Sequence, residues 1–268
     1  MNYNDRRWQI LQIGKLPSLN RPIFIEGLPG IGNVGKVAVD FLIDELKAKK
    51  IYEVTSYTFP HSVFVNEDNL VELPVVEIFY KKYDGKRPDL VLLGGDVQPV
   101  DEVSSYEFSD YILDILEKFN TSEIITMGGI GLAEIPKSPK VYCTGNSKSA
   151  ISKYKGSFVS NKLYNVVGPI VGVSGLMLGL AARRNIDAVA LLAETYGHPM
   201  YIGIKGSREI LKALNEKLNL RIDINKLDKE IKDIELQLLK KTEQLSKVSR
   251  TLALKRFQSK IGDVDYIG

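Results

Sequence analysis

Five glycine-rich turns punctuate this chain, and each follows an apolar run: GLPGIGNVG, GGDVQP, GGIGLAEIP, GVSG and ETYGHP. The run LVLL at 90–93 is apolar without alternation, as in a parallel strand covered on both faces. Helical patterns lie between such runs. Val37, Phe41, Leu42 and Leu46 recur at helical spacing across 37–47, and further helices are expected near 101–119, in SGLMLGLAARRN, and near 207–218. IYEVTSYTF, HSVFV and LVELPVVEIFY, set apart by the NEDN and YDGKRP turn signals, add strands and a hairpin. VVGPIVGV reads as a further buried strand. Strand, turn and helix in alternation predict an α/β fold, a three-layer sandwich on a largely parallel or mixed sheet, with binding sites at the strand C-terminal ends.

Composition narrows the function classes. With 44% hydrophobic residues the chain can bury a substantial core, and 36 basic against 33 acidic residues leave a formal charge of only +3. No domain-wide field for phosphates follows, so nucleic acid is not an expected partner. Cys143 is the single cysteine and cannot form an internal disulfide. The start, MNYNDRRWQILQIGK, lacks the apolar core of a signal peptide, and a cytoplasmic location is expected. The longest apolar stretch, VVGPIVGVSGLMLGLAA, is broken by Gly and Pro and is shorter than the ~20 residues of a membrane span. No membrane contact is expected.

The first turn spells G-x-G-x-x-G with Gly30, Gly32 and Gly35, and Gly27 precedes it. A dinucleotide site would need free amides there and an acid at the far end of the next strand. Pro29 removes one amide, and Glu53 falls at the start of its strand. Gly27, Gly30, Gly32 and Gly35 are therefore read as a structural turn that lets helix and strand pack closely, with no cofactor. Ser174 has the setting of a nucleophile elbow, but Gly172, Ser174 and Leu176 break G-x-S-x-G at its last position. His198 and Glu194 follow in triad order, four residues apart. The alternative is that Ser174 caps the helix after it. His61, His198 and Cys143 show no zinc spacing, so no metal is expected. Asp96, Glu134 and Glu194 sit at strand ends, where acids either line a cleft or bond loop amides.

The composition changes near 224, and the chain divides into an α/β domain over 1–222 and a C-terminal part over 223–268. From there NKLDKEIKDIELQLLKKTEQLSKVSRTLALKRFQSK has neither Gly nor Pro. Ile231, Leu238, Leu245 and Leu252 recur every seven residues, with Leu227, Ile234 and Val248 in a second heptad position that Lys241 interrupts. This predicts a long helix of roughly 50 Å with one apolar seam. The seam either lies across its own domain or meets a second subunit as a coiled coil.

The ordered set GLPGIGNVG, LLGGDVQP, ITMGGIGLAEIP and VGPIVGVSGLMLGLA leading to ALLAETYGHP resembles the proteasome assembly chaperone superfamily in its archaeal and bacterial branch. The resemblance covers about residues 20–220. It implies a sandwich similar to purine nucleoside phosphorylases and related hydrolases, without an established catalytic centre. It also implies an ATP-independent, homo-oligomeric chaperone of 20S proteasome α-subunit assembly, whose partners are α subunits or a chaperone paralogue. In that family, activators and some chaperones end in a hydrophobic residue, Tyr and one further residue. This chain ends VDYIG, one position out of register, so Tyr266, Ile267 and Gly268 are the expected partner-binding tail. Tethered tails gain avidity, about 10²- to 10⁴-fold over one weak contact. The rival expectation is a hydrolase or nucleoside-processing enzyme that uses Ser174.

Overall fold

All six residues of LVLLGG are buried, and this strand belongs to the parallel centre of a nine-stranded sheet. The computed structural model describes residues 7–66, 68–85, 87–160 and 168–227. In chain order the elements are β1 (Trp8–Gln12), β2 (Ile23–Glu26), α1 (Val34–Glu45), β3 (Lys49–Ser56), β4 (Phe64–Val65), β5 (Val71–Glu72), β6 (Val76–Lys81) and β7 (Leu90–Gly95). There follow α2 (Glu102–Lys118), β8 (Glu123–Leu132), β9 (Val141–Gly145), α3 (Lys148–Lys153), β10 (Val159–Ser160), α4 (Val173–Arg183), β11 (Asp187–Tyr196) and α5 (Ile204–Leu218). The strand order is β1-β3-β6-β7-β2-β8-β11-β9-β10. β7, β2, β8 and β11 run parallel, so their C-terminal ends open on one side. Antiparallel pairs flank them, β1, β3 and β6 on one edge and β9 on the other.

Helices cover both faces, giving the three-layer α/β sandwich with a mixed sheet. α1 and α5 pack together on one face, α2 and α4 on the other. Each face buries an apolar stripe: Val34, Ala38, Val39 and Leu42 from α1, and Phe108, Ile112, Leu113 and Leu116 from α2. Asp101 begins α2 as its cap by accepting from the Ser104 N–H at 2.9 Å. At the C-terminus of α4, Arg184 donates to Asp114 at 2.6 Å and Asp110 at 2.9 Å, and so ties α4 to α2. Trp8 anchors β1, its ring 5.5 Å from that of Phe108 and its Nε1 donating to Glu107 at 2.9 Å.

β4 and β5 form a two-stranded sheet of their own. Several expectations are corrected. Residues 168–172 hold no strand, because Pro169 offers no N–H and the segment bends over the strand ends instead. Glu53 lies within β3, where it pairs with Lys50 at 2.8 Å, and not at the strand's start. β1, β9, α3 and β10 come in addition to the expected elements.

The chain divides into two units, Met1–Asp223 and Ile224–Gly268. In the second, the Leu227 N–H donates to the Ile224 carbonyl at 3.1 Å. Ile231, Ile234, Leu238, Leu245, Val248, Leu252, Tyr266, Ile267 and Gly268 lie outside the described residues, as do the long helix and tail they were expected to form.

Candidate functional site at the strand ends

Glu26 is the last residue of β2 and is completely buried. An isolated charge there would be costly, and the fold meets it with two donors. The Leu28 N–H donates to Oε1 at 2.9 Å, and the Ser174 hydroxyl donates to Oε2 at 2.8 Å. Burial pushes the carboxyl up to about 7, against the pull of these two hydrogen bonds.

Gln98, from the turn after β7, forms a second bridge to α4. Its Nε2 donates to the Pro29 carbonyl at 2.6 Å, and its Oε1 accepts from the Val173 N–H at 3.2 Å. Gly172 sits at the helix cap with φ +86°, and a Cβ there would strike Gln98. Ser174 is therefore not the cap; it lies one turn position inside α4, facing Glu26.

The glycine turn brings backbones together. A Cβ built on Gly27 would collide with the Gly35 carbonyl, and one on Gly35 with the Met127 carbonyl. Gly32 has φ +62°, and its added Cβ would lie 2.6 Å from the Thr195 hydroxyl oxygen. Gly30 is extended at φ −163°, with open space where a Cβ would go.

These groups border a crevice of about 400 Å³ between the Gly30–Ile31 turn, Met127 to Gly131 of β8, the Pro169 segment and Ser174. Among the described residues its walls carry no charged side chain. They offer apolar surface, glycine backbone, the Gln98 amide and one hydroxyl that is held by a carboxyl behind it. Of the acids expected at strand ends, Glu194 accepts from the Lys140 N–H at 3.0 Å and the Tyr142 hydroxyl at 2.8 Å. Asp96 accepts from the Val75 N–H at 3.4 Å, and Glu134 is exposed in the loop after β8. His198 stacks on Tyr196 at 5.7 Å and accepts from the Met200 N–H at 3.2 Å. Ser174 thus meets Glu26, and no hydrogen bond joins it to His198 or Glu194 among the described residues. Glu26 and Gln98 escaped the sequence reading. The one signal for Glu26 was an acid closing an otherwise apolar strand.

Cys143 is a free, buried thiol, pushed up to about 12 by burial and by the nearby Glu123 charge. Among the described residues no three His, Cys, Asp or Glu side chains gather as metal ligands, and no helix is long and apolar enough to cross a membrane.

Fold and crevice together define a three-layer α/β protein whose parallel strand ends are closed by glycine turns and by the clasp of Glu26 on Ser174. The PAC2 family model matches residues 24–241, and the chain belongs to the PAC2 family. It is 36% identical to PbaB of Pyrococcus furiosus, an archaeal proteasome activator, with a TM-score of 0.81 over 89% of this chain and 99% of that one. It is 25% identical to PbaA of the same organism, an archaeal homolog of proteasome-assembly chaperone, with a TM-score of 0.71 over 94% of this chain and 99% of that one. Uncharacterized protein MJ1210 of Methanocaldococcus jannaschii is 31% identical over 235 residues, 87% of this chain and 88% of that protein. The family agrees with the resemblance carried by the glycine motifs.

Proposed function

We propose that this protein is a homo-oligomeric, ATP-independent chaperone or binding factor for 20S proteasome α subunits, acting in the cytoplasm in the archaeal manner. The α/β body is the scaffold, and residues 225–268 are the partner-contacting part. The observation that carries this reading is the 36% identity to an archaeal proteasome activator across nearly the whole length of both chains. The partner is an α subunit or a chaperone paralogue. Tyr266, Ile267 and Gly268 dock on it, and the seam of Leu227, Ile231, Ile234, Leu238, Leu245, Val248 and Leu252 sets the spacing of the tails. Removing residues 263–268 should weaken binding to a proteasome α ring in a sedimentation or surface-binding assay. Undiminished binding removes the tail from the mechanism.

One observation favours a second reading. Ser174 donates its proton to a buried carboxyl, the arrangement of a nucleophile beside its base. A hydrolase of this kind should cleave an activated ester such as p-nitrophenyl acetate and lose that activity in Ser174→Ala. Equal rates for the two proteins reject it.

A further inference from the structure

We propose that the β4–β5 hairpin docks head to tail on the β9–β10 end of a second copy of this chain. The proposal rests on the homo-oligomeric reading above and supplies its contact surfaces. Val63, Phe64, Val65, Leu70, Val71 and Leu73 are all exposed, Leu73 at 74% and Val71 at 68%. Phe64 and Val65 are neighbours in one strand, so their side chains leave on opposite sides, and both sides meet solvent. An isolated two-stranded hairpin is marginal in water, and an apolar one needs a cover. Tyr57 stands beside it, 71% exposed, at a groove of about 690 Å³ formed with the ends of β1 and β3. Together these seven residues leave on the order of 800 Å² open, which matches the ~800 Å² that each partner of a standard interface buries.

Charge selects the occupant. Residues 57–74 carry Glu67, Asp68 and Glu72 and no Lys or Arg. A two-fold contact of this surface with itself would bring acids against acids. The stretch that holds β9 and α3, towards the opposite edge of the sheet, has the opposite sign. Residues 136–156 carry Lys137, Lys140, Lys148, Lys153 and Lys155 and no Asp or Glu. Lys153 is engaged by Asp187 at 2.9 Å, whereas Lys137, Lys140, Lys148 and Lys155 are exposed with no carboxylate partner among the described residues. The sheet order sets β1 and β3 at one edge and β9 and β10 at the other, so the two surfaces cannot meet within one copy's sheet. β10 is the last strand in the sheet order, with Gly156 bridging to Val159, and an extended apolar hairpin can lie along such a sheet end.

The test uses the full chain and light scattering coupled to size exclusion at micromolar concentration. Val65→Asp with Leu73→Asp removes the hairpin surface, and Lys137→Glu with Lys140→Glu and Lys148→Glu removes the other. Each variant alone should run as a monomer. Mixed one to one, they should form a dimer, because one supplies an intact lysine end and the other an intact hairpin. Assembly retained by both variants, or a mixture that stays monomeric, overturns the docking surface and leaves the homo-oligomeric reading standing. A monomeric wild-type chain overturns both. Should the aspartate pair fail to fold, Val65→Ser with Leu73→Ser is read instead, with at least a tenfold weaker association expected and an unchanged one overturning the proposal.

Discussion

The crevice and the hairpin treat their chemical groups in opposite ways. At the crevice a carboxyl is buried, yet each oxygen has a donor, and glycines remove every side chain that would part the backbones. At the hairpin apolar side chains stand in water on both faces, and the two short strands join no other strand among the described residues. The first region is finished within one chain and spends its sequence on internal fit. The second is left incomplete. Stability and association should therefore respond to different residues, and four measurements can break that division.

The largest effect is expected from Gly27→Ala or Gly35→Ala. The new methyl meets a backbone carbonyl that cannot rotate away, so either change should cost upward of ~3 kcal/mol in denaturant unfolding, or prevent folding. Wild-type-like stability would mean that the turn is not tightly packed.

Next comes the pH dependence of Glu26. Its carboxyl titrates at about 7 in the folded chain, against an ordinary 4.5. The native state therefore holds a proton that the unfolded chain releases. The resulting stability is fully present below 4.5 and is lost as pH rises through 7, in total about 3 kcal/mol at 1.36 kcal/mol per pH unit. Glu26→Gln keeps an oxygen for the Leu28 N–H and cannot ionise. It should match the wild type at pH 4.5 and exceed it at pH 8, as read from urea midpoints. Parallel pH profiles for the two proteins would refute the assignment.

A smaller loss is expected for Ser174→Ala, which leaves one Glu26 oxygen without its donor, about 1 to 3 kcal/mol at pH 8. The loss should be smaller at pH 4.5, where the protonated carboxyl leaves no buried charge without its donor. The smallest effect belongs to the hairpin. Val65→Ser should change the melting of the isolated chain by no more than ~0.5 kcal/mol, because the side chain is already solvated. A large loss would show that the hairpin supports the body.

The sandwich was legible wherever local signals and burial agreed. α2 was expected over 101–119 and spans Glu102–Lys118, because Asp101 caps it and its apolar stripe keeps a helical period. β7 was legible because a strand covered on both faces leaves no alternation. The reading failed where one pattern serves two environments. VVGPIV has the composition of a buried strand, yet Val171 is 84% exposed and the described part of the segment lies along the crevice. Ser174 looked like a cap because a serine there precedes a helical pattern, but Gly172 itself takes the cap with a backbone that only glycine adopts easily. Glu26 was missed because its side-chain partner, Ser174, lies 148 residues away, which no local period can report.

Because the sheet has unlike ends, copies joined end to end would share a direction, as bricks laid all one way. Nothing in such a row would mark a last member unless each step also turned by a constant fraction of a circle. The angle between the hairpin and the far edge strand, more than the strength of their contact, would then set how many copies come round to meet the first.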